Sequence, residues 1–510
     1  MEIAPEGDAA AGAHDQPLLG RWVGPPAGRI DLERHERLAL GGVTQVGDGE
    51  VVLAPGVEYH CRRVFLQVAD PLSILLCPAC RRSFRLVQGG DGTGLAACAC
   101  GENPFVEGVF VAHDGGPTAR AGVARRAGPG PQALHARLRA AVRAGDGQAA
   151  RHLLLGSYAR RVRLMERLGV RLTFRRFLRR GMLARLIGTG GLYGVVEKLP
   201  PQSFTERVLM SAQFSLYMRH RFCAPSFLSA IPLLGLVRGA RGLVLDAPCG
   251  MGHLAYTLTK LVPPSRLVCM DLLPAHAFSA RRFFAPGALA AIAHDMNEPL
   301  PLVGGAFSAI FCSDAFHYVT NKAQLAREFM RLLGDDGVLA ILHLHNRLQH
   351  NPAAGDPLSP AEYARLFEGF AVRLYPERHL VDAYLADSPL DLGAECSEGE
   401  LNEASALALV AAKSPAAFRV VPSVREQLLA AAHTPRLNEL YRRRRRGGQI
   451  ILQRRLPRTL VAEYPRLVDA LPERAVVPAG GVRRDGGWLR FTDERRLLRQ
   501  HVLLDLPVDY

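Results

Sequence analysis

Lysine is nearly missing from this chain. It stands only at Lys198, Lys260, Lys322 and Lys413, so the net charge of +15 over 510 residues is carried almost wholly by arginine. With Ala, Gly and Pro abundant, this bias marks a GC-rich bacterial coding sequence, and part of the basicity reflects codon pressure rather than an anionic partner. Long apolar runs are scarce as well. The longest, residues 222–237, carries Pro225 and Pro232 and is too short to span a bilayer. Residues 1–20 are acidic and Ala/Gly-rich, without the basic start and apolar core of a secretory signal, so the expected location is the cytoplasm. There is no internal repeat. A disulfide framework is excluded too: Cys223, Cys249, Cys269, Cys312 and Cys396 are scattered singly, several in apolar runs where a thiol acts as a small hydrophobe. What remains is globular, with 48% apolar and 22% charged residues, and longer than one core usually serves.

Composition shifts divide the chain. Residues 1–29 read as a mobile tail rich in Ala, Gly, Pro and acids. Residues 30–113 read as a small β-rich domain with strand-like runs at 50–53, 63–68 and 105–111 around a cysteine cluster. Gly115-Gly116-Pro117 and Gly128-Pro129-Gly130-Pro131 make 114–131 a linker. Residues 132–241 show helical spacing (Leu134, Leu138, Val142; Val162, Met165, Leu168) with arginines, including Arg160, Arg161, Arg163, Arg175, Arg176, Arg179 and Arg180, read as a solvated face. Residues 242–413 alternate strand and helix. Strands are predicted at 243–246, 266–271, 289–294, 307–312, 337–344, 371–375 and 405–412, with helices starting near Gly252, Ala275, Asn321 and Ser359. This is the pattern of a doubly wound, seven-stranded α/β sheet whose last strands are separated by a polar insert, 381–402. Residues 414–510 form a C-terminal α+β accessory module, in which Arg442–Arg446 is expected to be a surface loop bounded by Gly447-Gly448.

The chemistry starts at Leu245-Asp246-Ala247-Pro248-Cys249-Gly250-Met251-Gly252, where an unalternated β-rich run ends in an acid and a Gly-x-Gly turn opens a helix. Gly250 and Gly252 remove β-carbons that would hold a ligand off the main chain. With Ala255 this is also a G-x-G-x-x-A match, and Asp271 at the next strand end leaves a nicotinamide site formally open. A third acid, Asp295, follows one strand-helix unit later.

Three acids at successive strand ends resemble the class I S-adenosylmethionine-dependent methyltransferases, over residues 243–413. The family resemblance implies a Rossmann-like sheet, S-adenosylmethionine as cofactor, and a cofactor-binding set of Asp246, Gly250, Gly252, Asp271, Leu272, Asp295, Met296 and Ser313. In this assignment the glycine turn meets the methionine part, Asp271 takes the ribose hydroxyls, and Asp295 with the backbone of Met296 takes the adenine. The physics agrees: a carboxylate accepts two hydrogen bonds from a vicinal diol, and an acid at Asp246 suits a sulfonium but would repel a pyrophosphate. Further similarity lies in Phe307-Ser308-Ala309-Ile310, Ser313-Asp314-Ala315-Phe316-His317-Tyr318 and the turn Leu333-Gly334-Asp335-Asp336-Gly337-Val338.

Methyl transfer is an in-line displacement in which alignment and exclusion of water do much of the work. His317 is the candidate general base for a protonated acceptor; packing beside the cofactor or capping a helix are open alternatives. Asp314, His343 and His345 are further candidates, and Tyr193, Phe214 and Tyr217 are expected on a helical lid.

Cys77-Pro78-Ala79-Cys80 and Cys98-Ala99-Cys100 offer four thiolates to one structural zinc ion. The second pair is one residue short of the usual knuckle, and Cys61 or His113 are substitute ligands. With Asn103 to Val109 following, the segment resembles the small zinc-ribbon proteins that accompany tRNA and protein methyltransferases, which implies folding or docking of a protein partner as its role. The sequence reading is therefore a methyltransferase acting on a small-molecule or glycan-like acceptor. An RNA methyltransferase, with nucleic acid as partner, and a non-catalytic zinc-ribbon scaffold are the alternatives.

Overall fold

The structure, a computed structural model, describes residues 43–47, 50–53, 71–90, 92–112, 131–155, 221–351, 355–456, 468, 471–485 and 488–507. The tail, the run 63–68, most of the linker, the arginine-rich stretch 160–180, Cys61, His113, Tyr193, Phe214 and Tyr217 lie outside the described residues.

Eleven strands form one sheet. In chain order they are β1 (Arg85–Gly90), β2 (Thr93–Cys98), β3 (Gly101–Val106), β4 (Val109–Val111), β5 (Leu243–Asp246), β6 (Leu267–Asp271), β7 (Ala290–Ala293), β8 (Phe307–Ser313), β9 (Leu333–His345), β10 (Ala371–Pro376) and β11 (Ala406–Ala412). Their order across the sheet is β10-β11-β9-β8-β5-β6-β7-β4-β3-β2-β1. Strands β9, β8, β5, β6 and β7 are parallel, while β11 runs antiparallel to both β9 and β10. These seven are the strands expected from the alternating pattern. The chain order reverses at β5, and ligands bind open α/β sheets at the strand ends beside such a reversal.

The cysteine-bearing segment continues this sheet. β4 pairs in parallel with β7 through Val109↔Ala291, Phe110↔Ile292 and Val111↔Ala293, and β3, β2 and β1 follow as antiparallel hairpins. Leu75 bridges Leu302, and Leu76 N donates to Pro301 O at 3.1 Å.

Because side chains alternate along a strand, neighbours such as Val244 and Leu245 enter opposite cores, and both cores extend into the cysteine-bearing segment. One contains Val106, Val109 and Val111 beside Leu138, Val142, Ala150 and Leu154 of helices Pro131–Arg143 and Gly147–Leu155. The other contains Phe84, Ala96 and Phe110 beside Ile292, Leu300 and Leu302. The Phe110 ring lies 5.2 Å from both Phe84 and Phe105.

Helices begin where the sequence signals them, at His253, Pro274, Lys322 and Pro360. Ser359 closes a capping box with Glu362: each residue's side chain accepts from the other's backbone N–H. The polar insert 381–402 contains more order than its composition suggests, including most of helix Glu377–Ala386 and the start of Glu398–Glu403.

The C-terminal module has its own core, including Leu440, Tyr441, Ile450, Leu452, Val477, Leu497 and Val502. The arginine run is a strand rather than a loop. Tyr441–Arg446 pairs with Gln449–Arg454 across Gly447 and Gly448, whose φ values of +52° and +73° suit a two-residue hairpin turn. Pairing satisfies the backbone while Arg442–Arg446 stay exposed. The module meets the sheet domain where Tyr256 Oη donates to Asp505 Oδ2 at 2.8 Å and Lys260 pairs with the same carboxylate. Among the described residues no helix is long and apolar enough to cross a membrane.

Candidate active site

At the end of β5, Asp246 is 1% exposed and its Oδ2 has no hydrogen-bond partner. Burial pushes its carboxyl up to about 8; the Ala255 amide and Arg221 oppose the shift, and the Asp271 charge adds to it. The turn that follows bends at two glycines with different roles. Gly250 (φ +50°) has nothing within 4 Å of where a β-carbon would stand, which leaves open space beside the main chain. Gly252 (φ +105°) lets helix His253–Leu258 approach its neighbour, since a β-carbon there would meet Ala280 Cα at 2.7 Å and Phe284 Cβ at 2.8 Å.

Asp271 ends β6 with both oxygens engaged. Oδ2 accepts from Gly250 N at 2.9 Å; Oδ1 accepts from Leu273 N at 2.9 Å and lies 3.1 Å from His276 Nδ1. The acid is thereby tied to the glycine turn of the adjacent strand. Leu272, beside it, remains 37% exposed. Asp295 stands two residues beyond β7, its Oδ1 accepting from Asn297 N at 2.9 Å and Nδ2 at 2.8 Å, and Met296 is buried. Asn297 Oδ1 in turn accepts from the Thr320 and Asn321 amides at 2.9 Å, joining the exits of β7 and β8.

Ser313 ends β8 half-buried. Asp314 follows with φ +58°, and His317 sits in the short turn Phe316–Tyr318. His317 is 1% exposed, neither ring nitrogen has a partner, and burial, reinforced by His345, brings its imidazole down to about 3. Its ring stacks on His345 with centroids 3.9 Å apart and planes 13° apart.

Residues 244–337 match the methyltransferase-domain family. This segment carries a methyltransferase domain. A malonyl-[acyl-carrier protein] O-methyltransferase of Geobacter sulfurreducens is 31% identical over 97 residues, 19% of this chain; the chain spans about a third, 36%, of that relative's length. Similar solved structures include the YcgJ protein of Bacillus subtilis (16% identity, 37% of this chain and 98% of that one, TM-score 0.26). Another is the 1,6-didemethyltoxoflavin-N1-methyltransferase of Burkholderia thailandensis (17% identity, 40% and 82%, TM-score 0.27).

Two side chains of the methyltransferase domain's polar cluster escaped sequence reasoning. Arg221 Nη1 donates to Asp314 Oδ2 at 2.9 Å and to Ser226 Oγ at 2.6 Å. Glu377 Oε1 accepts from Ser229 Oγ at 2.8 Å and lies 2.9 Å from His343 Nδ1. Burial would lower His343, but Glu377 and Asp314 outweigh it and raise the imidazole to about 9. Burial would raise Asp314, but His343 and Arg221 hold it near 2. No local motif marks Arg221 or Glu377; each begins a helical segment that only tertiary packing carries to this edge.

Away from this edge, Cys77, Cys80, Cys98 and Cys100 do converge, one sulfur from each lying within 4.8 Å of the others. The hydrogen bond from Arg82 and the neighbouring thiols lower Cys80 to about 7, while burial raises Cys98 and the hydrogen bond with Cys80 raises Cys100 to about 12, so without a metal one thiol of the group is favoured as the thiolate. Cys98 and Cys100 both take part despite their short spacing, because β2 ends at Cys98 and Gly101 (φ +142°) turns the chain straight back into β3.

Proposed function

We propose that this chain transfers a methyl group from S-adenosylmethionine to a small-molecule or glycan-like acceptor, at oxygen or nitrogen, in the cytoplasm. The observation that carries the reading is Asp246: a buried carboxyl with an idle oxygen, beside the open space at Gly250. A buried acid with one oxygen unsatisfied is costly, and a cofactor bearing positive charge on sulfur relieves that cost. The bound cofactor supplies an electrophilic methyl group.

The chain's own residues do the rest. Asp271 is fixed in direction by Gly250 and Leu273 before any ligand arrives, which lowers the ordering cost of gripping a ribose diol. Leu272 offers an apolar face to the cofactor, and Asp295 with the Met296 amide reads the adenine edge. Ser313 and His317 follow at the exit of the strand next to β5, where the acceptor would approach the methyl group. In the thiolate cluster, zinc would act structurally, since four thiolates leave no open position for catalysis.

Calorimetry with S-adenosylmethionine and S-adenosylhomocysteine tests the reading. Binding by the wild type that is lost in Asp271→Ala supports it; no binding by the wild type leaves the scaffold reading. With radiolabelled methyl and fractionated bacterial extract, label in the small-molecule fraction supports the acceptor class. The five exposed arginines of strand Tyr441–Arg446 favour one second reading, an RNA acceptor. That reading requires label in RNA and acceptor binding that weakens steeply with salt.

A further inference from the structure

Cofactor binding leaves one group of side chains at this edge unused. Asp314 and His317 follow β8, and His345 ends β9, so the parallel pairing of these strands brings an acid and two imidazoles together. One donor atom from each lies within 4.8 Å of the others. His317 is 1% exposed with both ring nitrogens idle, and buried polar atoms are rarely left so. Two imidazoles and one carboxylate are the donor set of a first-row divalent cation.

We propose that Asp314, His317 and His345 bind a divalent metal ion beside the transferred methyl group, and that the acceptor presents a hydroxyl oxygen to that metal. The metal site stands on these residues alone, whereas the acceptor's role rests on the methyl-transfer reading.

The surroundings suit a metal. Arg221 holds Asp314 Oδ2 at 2.9 Å, and Oδ1 faces the histidine side, 3.8 Å from His343 Nε2. His343, held by Glu377, orients Asp314 from outside the donor set. Asp314 (φ +58°) and His343 (φ +53°) both adopt left-handed backbone, a strain that proteins retain mainly at functional sites. Metal bonds of roughly 2.0–2.2 Å require the three donors to draw closer than they now stand, with the His317 and His345 rings turning out of their stacked, 13° alignment.

Three protein ligands leave positions open for an acceptor hydroxyl, which loses its proton to solvent more readily once metal-bound. Its oxygen then forms the new O–C bond as the S–C bond of the sulfonium breaks, and that bond's electron pair remains on sulfur in the neutral thioether product.

Manganese(II) is the probe, because it prefers nitrogen and oxygen donors and avoids the thiolate cluster. Electron paramagnetic resonance of free Mn2+, titrated with the full chain, is expected to show one ion bound per chain. Binding should survive Cys77→Ser and weaken about 100-fold or more in His317→Leu. The His317→Leu side chain fills the same buried space without idle nitrogens, so the variant is expected to fold. Its melting temperature should match or exceed that of the wild type without metal and lack the rise that Mn2+ gives the wild type. His345→Gln serves as the second variant, with S-adenosylhomocysteine affinity as the check on its fold. No Mn2+ bound by a wild type that binds S-adenosylhomocysteine, or binding unchanged in both variants, overturns the metal site. Mn2+ binding without cofactor binding keeps the metal site and removes the methyltransferase reading.

Discussion

Asp246 and Asp271 are both strand-end acids, and the structure treats them oppositely. Asp271 is satisfied on both oxygens, while Asp246 has an idle one and is raised to about 8 by burial, with Asp271 adding and the Ala255 amide and Arg221 subtracting. The folded state therefore keeps the Asp246 proton longer than the unfolded chain, whose carboxyl titrates near 4. The associated stability is fully present below that value and is lost as pH rises through about 8. Thermal melts of the apo protein should accordingly fall from about pH 4 to about 8 and level off above, and Asp246→Asn should flatten the fall. S-adenosylmethionine, being cationic, should bind more tightly over the same rise, while the neutral S-adenosylhomocysteine changes little; calorimetry at several pH values separates the two. Removing the second acid, in Asp271→Ala, also frees the Gly250 amide and should cost about 2–4 kcal/mol of cofactor affinity. All the strand-end acids were legible in the sequence, because each follows a short β-rich run. The upward shift of Asp246 was not, since it depends on what the rest of the chain lays over that carboxyl and on which of its oxygens finds a donor.

Elements were legible where a local signal sufficed. The unalternated runs of β5 to β9 announce strands buried on both faces, and Ser359 with Glu362 announces a helix start. Signals failed where tertiary context decides. The arginines at 442–446 have no apolar alternation, yet they pair because Ile450 and Leu452 of the facing strand are needed in the core. His343 and His345 should share a face on a regular strand, but the β9–β11 register shifts between Ile341 and Leu344, and His343 turns toward Glu377. The glycine turn allows a test at this scale. Gly252→Ala drives a β-carbon into the next helix and should lower stability by about 2–4 kcal/mol. Gly250→Ala, with open space around it, should lower stability by only about 1 kcal/mol but fill the space assigned to the cofactor. Paired melts and binding isotherms should show the first variant failing in stability and the second in affinity.

For the whole molecule, the main surprise is that the cysteine-bearing segment is part of the same eleven-stranded sheet as the strand-end acids. Sequence pattern gives a strand's period but not its partner, and β4 is a three-residue strand whose neighbour, β7, lies far downstream in the chain. The cysteine pairs themselves were readable from spacing. Their coupling to the cores of the large sheet was not, because Phe110 and Val109 enter the two shared cores only through that long-range pairing. Stripping metal from the thiolate cluster with a chelator, or by Cys77→Ser, should therefore lower the melting temperature of the methyltransferase domain itself. Calorimetry should record one shifted transition rather than the loss of a separate early one.

The pairing of β4 with β7 also has a consequence for solubility. Ala290–Ala293 is fully buried and apolar, and without β4 it would be the terminal strand of a large sheet, its amides and carbonyls facing water with no charge or proline to deter a second chain. A protein trimmed to residues 221–510 should thus pass from monomer to edge-to-edge aggregates, visible by light scattering, while the full chain stays dispersed. The cysteine-bearing hairpins act as a built-in stopper for a sticky seam, and the outermost strand, with Leu86 and Val87 exposed, takes over as the new rim.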